Sequence, residues 1–292
     1  MVHIDKTGKE NEIWLPKPYD VVMACPDSAE TWNDGYTAGY ADGFEQGVAD
    51  AEEECGSDYR KKPLTFEILS AGTVMFIGNY EKLTGLTIEY SINDGSWTEL
   101  VSSFEGATIS VNPGDVVEFR GNNEAYGADN YHNKLICTGE HKIYGNIMSL
   151  INSTDFESLD TVGFHTFDSF FRGQEGDGPD NKVVDASNLI LPATAVGDSS
   201  YSEMLADCRL LVKGPTLVAP VLARACYWAM FNGCGKLEYV KCLATDISAA
   251  NCTEAWLGWV HSTGIFVKAA GMNDWPTGDS GIPNGWTVED VE

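Results

Sequence analysis

Residues 226–237 read CYWAMFNGCGKL, and residues 200–211 read SYSEMLADCRLL. Tyr201 aligns with Tyr227, Met204 with Met230, Cys208 with Cys234 and Leu211 with Leu237, each pair 26 residues apart. The preceding stretches keep the offset, LPATAV from Leu191 and LVAPVL from Leu217. A third copy, CTEAWLGWVHST, sets Cys252 against Cys226, Trp256 against Met230 and Leu257 against Phe231. A degenerate earlier copy, FDSFFRGQ, puts Phe170 and Phe171 where Met204 and Leu205 fall later. It lies 34 residues ahead because EGDGPDNK (175–182) is inserted. A period in the twenties predicts a solenoid, because one unit cannot cover its own apolar face and the units must stack. Tyr227, Met230, Phe231 and Cys234 are spaced i, i+3, i+4, i+7, which predicts one face of a short helix. KLEYVK (236–241) and GIFVK (264–268) predict one strand per unit, and WPTGDSGIPNGWTV (275–288) breaks the pattern as an end cap would.

Working backwards from the repeats, residues 63–145 read as an all-β, sandwich-like domain. LTFEIL, GTVMFIG, LTIEYSI, SWTELV, ATISV and DVVEFRG are short runs rich in β-branched and aromatic residues. Asn93-Asp94-Gly95 is a hairpin signal, and VNPGD (111–115) is a second turn. Residues 146–292 then form the solenoid with its cap. Upstream, CGSDYRKKP (55–63) reads as a stop and a linker.

Residues 1–30 read as an extended arm, since LPKP disfavours helix before each proline. Residues 31–57 carry DGYTAGYADGFEQGV, in which Gly35, Gly39, Gly43 and Gly47 recur every four residues beside Tyr36, Tyr40 and Phe44. As a helix, this stripe is a groove lined by an aromatic ridge. Four glycines cost about 4 kcal/mol in a helix interior, so it predicts a docking or oligomerisation element into which another backbone packs. The fold class expected is therefore multidomain: an arm, a Gly-striped helix, an all-β sandwich-like domain and an α/β repeat solenoid.

The net charge is −26, and the 18 Lys and Arg are scattered. That balance argues against nucleic acid and against an anionic membrane surface. No apolar run is long enough for a secretory signal or a membrane span, which predicts no membrane insertion. The eight cysteines include no CxxC and are expected as free thiols. No nucleophile elbow, P-loop, zinc-protease or dinucleotide motif occurs, so no enzyme, cofactor or resident metal is expected. Two surfaces remain as candidate ligand sites. Glu175, Asp177 and Asp180, with Asn181, bring hard oxygen atoms to the insertion at 173–185, without EF-hand spacing. Trp228 and Trp259 fall off the expected core positions, where exposed indoles could stack on sugar rings. His132 and His141, near Asp129 and Glu140, form a further candidate metal or sugar site.

AMFNGCGKL and EMLADCRLL resemble the AFxxCxxL core of the BspA-type leucine-rich repeats, over about residues 164–270. The strand motif of that family is only partly present at Leu191-Pro192, and the third copy has Val260 where the second Cys belongs. A β-domain leading through YGNIMSLI (144–151) into such repeats also resembles virion and tail-associated proteins of the crAss-like phages of gut Bacteroidales. The glycine stripe is similar to the GX3 repeats of the Yae1 type. These resemblances imply a virion structural and adhesion protein, as a head fibre, capsid decoration or tail appendage such as a tail fibre. Its N-terminal region would attach it to other virion proteins and form a homo-oligomer, dimer or trimer. Its repeats would face a host-surface glycan or protein, and it would assemble in the host cytoplasm. The alternatives are a bacterial BspA-like surface adhesin and a carbohydrate-active enzyme.

Overall fold

The structure is a computed structural model and describes residues 3–4, 10–11, 59–78, 85–128, 131–173 and 178–291. The chain divides into two compact units, Met1–Asp58 and Tyr59–Glu292. In the first, β1 (His3–Ile4) pairs antiparallel with β2 (Glu10–Asn11). The arm expected over 1–30 otherwise lies outside the described residues, as does the glycine stripe with Gly35, Tyr36, Gly39, Tyr40, Gly43, Phe44 and Gly47.

The second unit begins with strands whose alternation decides their faces. In β3 (Leu64–Ile68), Leu64, Phe66 and Ile68 are buried while Glu67 points out. In β8 (Val116–Gly121), Val117 and Phe119 are buried between the half-exposed Glu118 and Arg120. With β5 (Thr87–Ile92), β6 (Thr98–Val101) and β11 (His141–Asn146) they form an antiparallel sheet in the order β11-β3-β8-β5-β6. A second antiparallel sheet combines β4 (Gly72–Gly78), β7 (Ala107–Val111), β9 (Gly127–Ala128) and β10 (Tyr131–Cys137) in the order β7-β4-β10-β9. Val74, Phe76 and Leu135 of that sheet join Phe66 and Phe119 in one core. Both turn signals are realised. Asn93 and Asp94 take φ 52° and 57°, and Gly95 N–H donates to the Ile92 carbonyl at 3.0 Å, as a type I′ turn requires. Asp115 N–H donates back to Asn112, with Gly114 at φ 89°.

The first sheet does not stop at β11. On its free side β11 pairs in parallel with β13 (Val183–Asp185) and β14 (Leu189–Ile190). From β13 the order continues through β16 (Lys213–Leu217), β17 (Tyr239–Cys242), β18 (Ile265–Lys268) and β19 (Thr287–Asp290), all parallel. Lys213 stands beside Tyr239 and Tyr239 beside Ile265, so the 26-residue offset is the strand register itself. The two parts that the sequence separates at 145 therefore share one sheet. A small parallel pair, β12 (Thr161–Val162) and β15 (Ala195–Val196), lies apart from it.

Facing the sheet is a wall of four rungs, at 164–173, 198–207, 224–233 and 250–259. The sequence predicts helices here, and the structure corrects that: the rungs are tandem β-turns. Met204 N–H donates to Tyr201 and Ala206 N–H to Glu203, three residues back. The alternate N–H groups leave the rung. Tyr201 donates to Cys226, Glu203 to Trp228 and Leu205 to Met230. The next rung repeats this, with Tyr227 to Cys252, Ala229 to Glu254 and Phe231 to Trp256. An α-helix turns its N–H groups along its own axis and could not make these cross-rung bonds. Every fourth residue takes a left-handed φ: Ser199, Glu203 and Asp207, then Ala225, Ala229 and Gly233, then Asn251, Ala255 and Trp259. A four-residue turn repeat places inward side chains at i, i+3, i+4 and i+7, the same spacing that a helix face has over seven residues. The inward set was thus read correctly from a backbone that is not helical. Among the described residues the complete helical elements are two short 3-10 turns, Ile147–Leu150 and Phe156–Ser158.

Between the walls runs a column of rings, Tyr126, Phe167, Tyr201, Tyr227, Trp256 and Trp275, with successive centroids 5.3–6.4 Å apart. The cysteines flank it. Cys208 Sγ donates to the Phe171 carbonyl at 3.2 Å, and Cys234 Sγ to the Leu205 carbonyl at 3.1 Å, the same bond one rung later. At the far end the cap supplies the partners a further rung would have supplied. Leu257 N–H donates to Asp279, Ala255 N–H to the Ser280 hydroxyl and Trp256 Nε1 to Gly281.

Candidate functional site

The turn geometry sorts side chains by position. In each turn pair two residues face the core and the next two form an outward corner, so the corners align in columns across the rungs. The first rung presents Phe164-His165, Asp168-Ser169 and Arg172-Gly173, and the second Asp198-Ser199, Ser202-Glu203 and Ala206-Asp207. The third presents Arg224-Ala225, Trp228-Ala229 and Asn232-Gly233, and the fourth Ala250-Asn251, Glu254-Ala255 and Gly258-Trp259.

The first two rungs carry a connected polar cluster. His165 Nδ1 lies 2.6 Å from Asp168 Oδ2, and the Ser169 hydroxyl donates to Asp168 Oδ1 at 3.0 Å. Arg172 reaches Glu203 at 2.9 Å and Asp207 at 3.5 Å. Burial raises the Asp168 carboxyl above the usual range, against the bonds from His165 and Ser169. Histidine, serine and aspartate meet here, but the serine donates to the aspartate rather than to the imidazole. The same hydroxyl also reaches Glu203 of the second rung at 3.4 Å, so the arrangement ties two rungs together. The sequence reading missed this cluster. Its signal was the outward spacing of His165, Asp168, Ser169 and Arg172, which complements the inward one.

The third and fourth rungs carry the aromatic pair. Trp228 is 37 % exposed and Trp259 82 % exposed, whereas Trp256, Trp275 and Trp286 are buried. Trp259 holds φ 58°, a region in which a bulky residue is an outlier.

The insertion at 173–185 divides. Glu175 and Asp177 lie outside the described residues. Asp180 is partly exposed. Asn181 is 1 % exposed, accepting from the Cys137 N–H at 3.0 Å and donating to the Phe171 carbonyl at 2.7 Å. Its amide is therefore a bridge between β10 and the first rung, with both its oxygen and its nitrogen engaged by the backbone. Where the insertion meets β4 and β10, a pocket of about 220 Å³ is lined by Ile77, Phe104, Lys134, Ile136 and Pro179.

Of the candidate pair His132 and His141, His132 lines this pocket while His141 lies in the core. His141 is fully buried against Phe66, its Nδ1 3.0 Å from the Gly139 carbonyl, and burial lowers its pKa to about 4. Asp129 lies outside the described residues. No group of three or more His, Cys, Asp or Glu among the described residues is arranged to hold a metal ion. The six cysteines in the described residues are free and buried. Desolvation pushes Cys226 and Cys242 up to about 12, so these sulfurs stay protonated. No helix among the described residues is long and apolar enough to cross a membrane.

No protein-family model matches the chain, and neither a curated protein nor a solved structure matches it.

Proposed function

We propose that this protein is a non-enzymatic structural and adhesion component of a phage particle. In this reading the ladder of β13 to β19 and its facing rungs is a leucine-rich-repeat-like solenoid that presents a recognition surface. The N-terminal region, with Gly35, Gly39, Gly43 and Gly47, attaches it to other virion proteins and joins copies into a dimer or trimer. The observation that carries the reading is the shared 26-residue register of both walls. Core and backbone are spent on holding the rungs in register, and the corner residues vary in type from rung to rung. That division is what an extended binding scaffold requires. The surface charge keeps such a scaffold soluble. Placement on a phage rests on the resemblance of the repeats and of the segment that leads into them.

Electron microscopy of purified particles, labelled with an antibody raised against this chain, tests the reading. Label at a fixed site on the particle is the expected result. Particles free of label, with the protein on the bacterial cell surface instead, would overturn it in favour of a cellular adhesin.

A further inference from the structure

Trp259 is an indole that the fold does not need. Its side chain is 82 % exposed, so it adds little apolar burial. Its backbone sits at φ 58°, in the column where the preceding rung has Gly233 at φ 79°. A bulky residue there is strained, and strain that packing does not offset points to function. Its surroundings are consistent. Gly233 N–H donates to the Gly258 carbonyl at 2.8 Å, and Ala229 N–H to the Glu254 carbonyl at 2.9 Å. Trp228 therefore stands one turn along and one rung back from Trp259. Between them the corners are Ala229, Asn232, Gly233, Ala255 and Gly258, and the Asn232 amide lies over Gly258 and donates to the Ala255 carbonyl at 3.2 Å, so two indoles flank a floor of backbone, small side chains and one amide.

The charges around this shelf select the ligand. Glu254 is exposed beside Trp228, while Glu203 and Asp207 border it from the second rung. The guanidinium of Arg172 is held against both of those carboxylates. Carboxylates accept hydrogen bonds from hydroxyl groups and repel anions. An indole face takes the apolar C–H face of a ring. We propose that this shelf binds a neutral hexose-based glycan through Trp228 and Trp259, and that it excludes uronic and sialic acid sugars. This rests on the adhesion reading above. It is separable from it, because the protein's place on a particle is fixed by microscopy whatever this shelf binds.

The test titrates the full chain with cellohexaose, maltohexaose, mannohexaose and hexagalacturonate, followed by tryptophan fluorescence and calorimetry, in the native protein, Trp259→Gly and Trp228→Ala. At least one neutral hexaose should bind, with hexagalacturonate silent. Trp259→Gly should weaken binding about tenfold or more while raising the melting temperature, because glycine suits the left-handed corner. Trp228→Ala should weaken binding with the melting temperature little changed. Four results would overturn the proposal: no binding of any neutral hexaose, binding of hexagalacturonate alone, neutral binding that survives both substitutions, or a fluorescence change that tracks protein concentration. The last would assign the indoles to a contact between copies.

Discussion

The rings of Tyr201 and Tyr227 lie 6.0 Å apart, one rung from each other, and the Tyr201 hydroxyl between the walls is buried without a hydrogen-bond partner. The column gains its stability from ring burial and stacking, and the Tyr201 oxygen is carried along at a desolvation cost. Tyr201→Phe should therefore raise stability, by about 1 kcal/mol. Tyr201→Ala should lose about 3–5 kcal/mol, because the cavity opens in the middle of the column. Chemical denaturation of both variants checks this. A destabilised Tyr201→Phe would mean that the hydroxyl is bonded after all.

The turn backbone and the expected helix make opposite predictions at Ala229. In a helix interior Ala229→Gly costs about 1 kcal/mol. At φ 48° the same change relieves left-handed strain, so stability should hold or rise. Ala229→Val should destabilise, since a β-branched residue suits that corner least. Thermal melts of the pair distinguish the two backbones directly.

Burial of His141 sets an acid limit on the fold. Its folded pKa is about 4 against the ordinary 6.5 of histidine, so between those values the unfolded chain binds the extra proton. The contribution is full above about pH 6.5, falls as pH drops toward 4, and is about 3 kcal/mol in all. His141→Gln should flatten the stability profile between pH 6.5 and 4. An unchanged slope in urea titrations across that window would show that other groups carry the acid sensitivity.

The thiols of the ladder should be chemically silent. Cys226, Cys234 and Cys242 are fully buried and held protonated by desolvation. Native protein treated with iodoacetamide at neutral pH should leave all three unlabelled by mass spectrometry, and denatured protein should label fully. Zinc should not alter the pattern. Labelling of Cys234 before unfolding would show that the rungs open locally.

The inward residues, the strand spacing and both turns of the sandwich were legible because each depends on short-range pattern. Asn93-Asp94 can take the left-handed pair that a type I′ turn needs. The 26-residue offset between Tyr201 and Tyr227 survives as register. The helix expected at Tyr227–Cys234 was not decidable from pattern, since periods of 3.6 and 4 coincide over seven residues and only the destination of alternate N–H groups separates them. His141 read as a candidate metal or sugar ligand near Glu140 because nothing local reports that β3 and β13 close over it. The polar cluster at His165, Asp168 and Glu203 was hidden for a similar reason, as Glu203 arrives from the next rung.

By itself the sequence determined that units repeat, which side chains face inward, and that Trp228 and Trp259 stand off the core positions. Periodicity is a property of the chain, and it is written in residue order. Tertiary structure decided that β11 joins an antiparallel sheet to a parallel one. It also decided that the rungs are turns, that Asn181 is an interior bridge, and that His141 is buried against Phe66. Those outcomes depend on where a backbone N–H or a side chain finds its partner 25 or more residues away, and no local pattern encodes that partner.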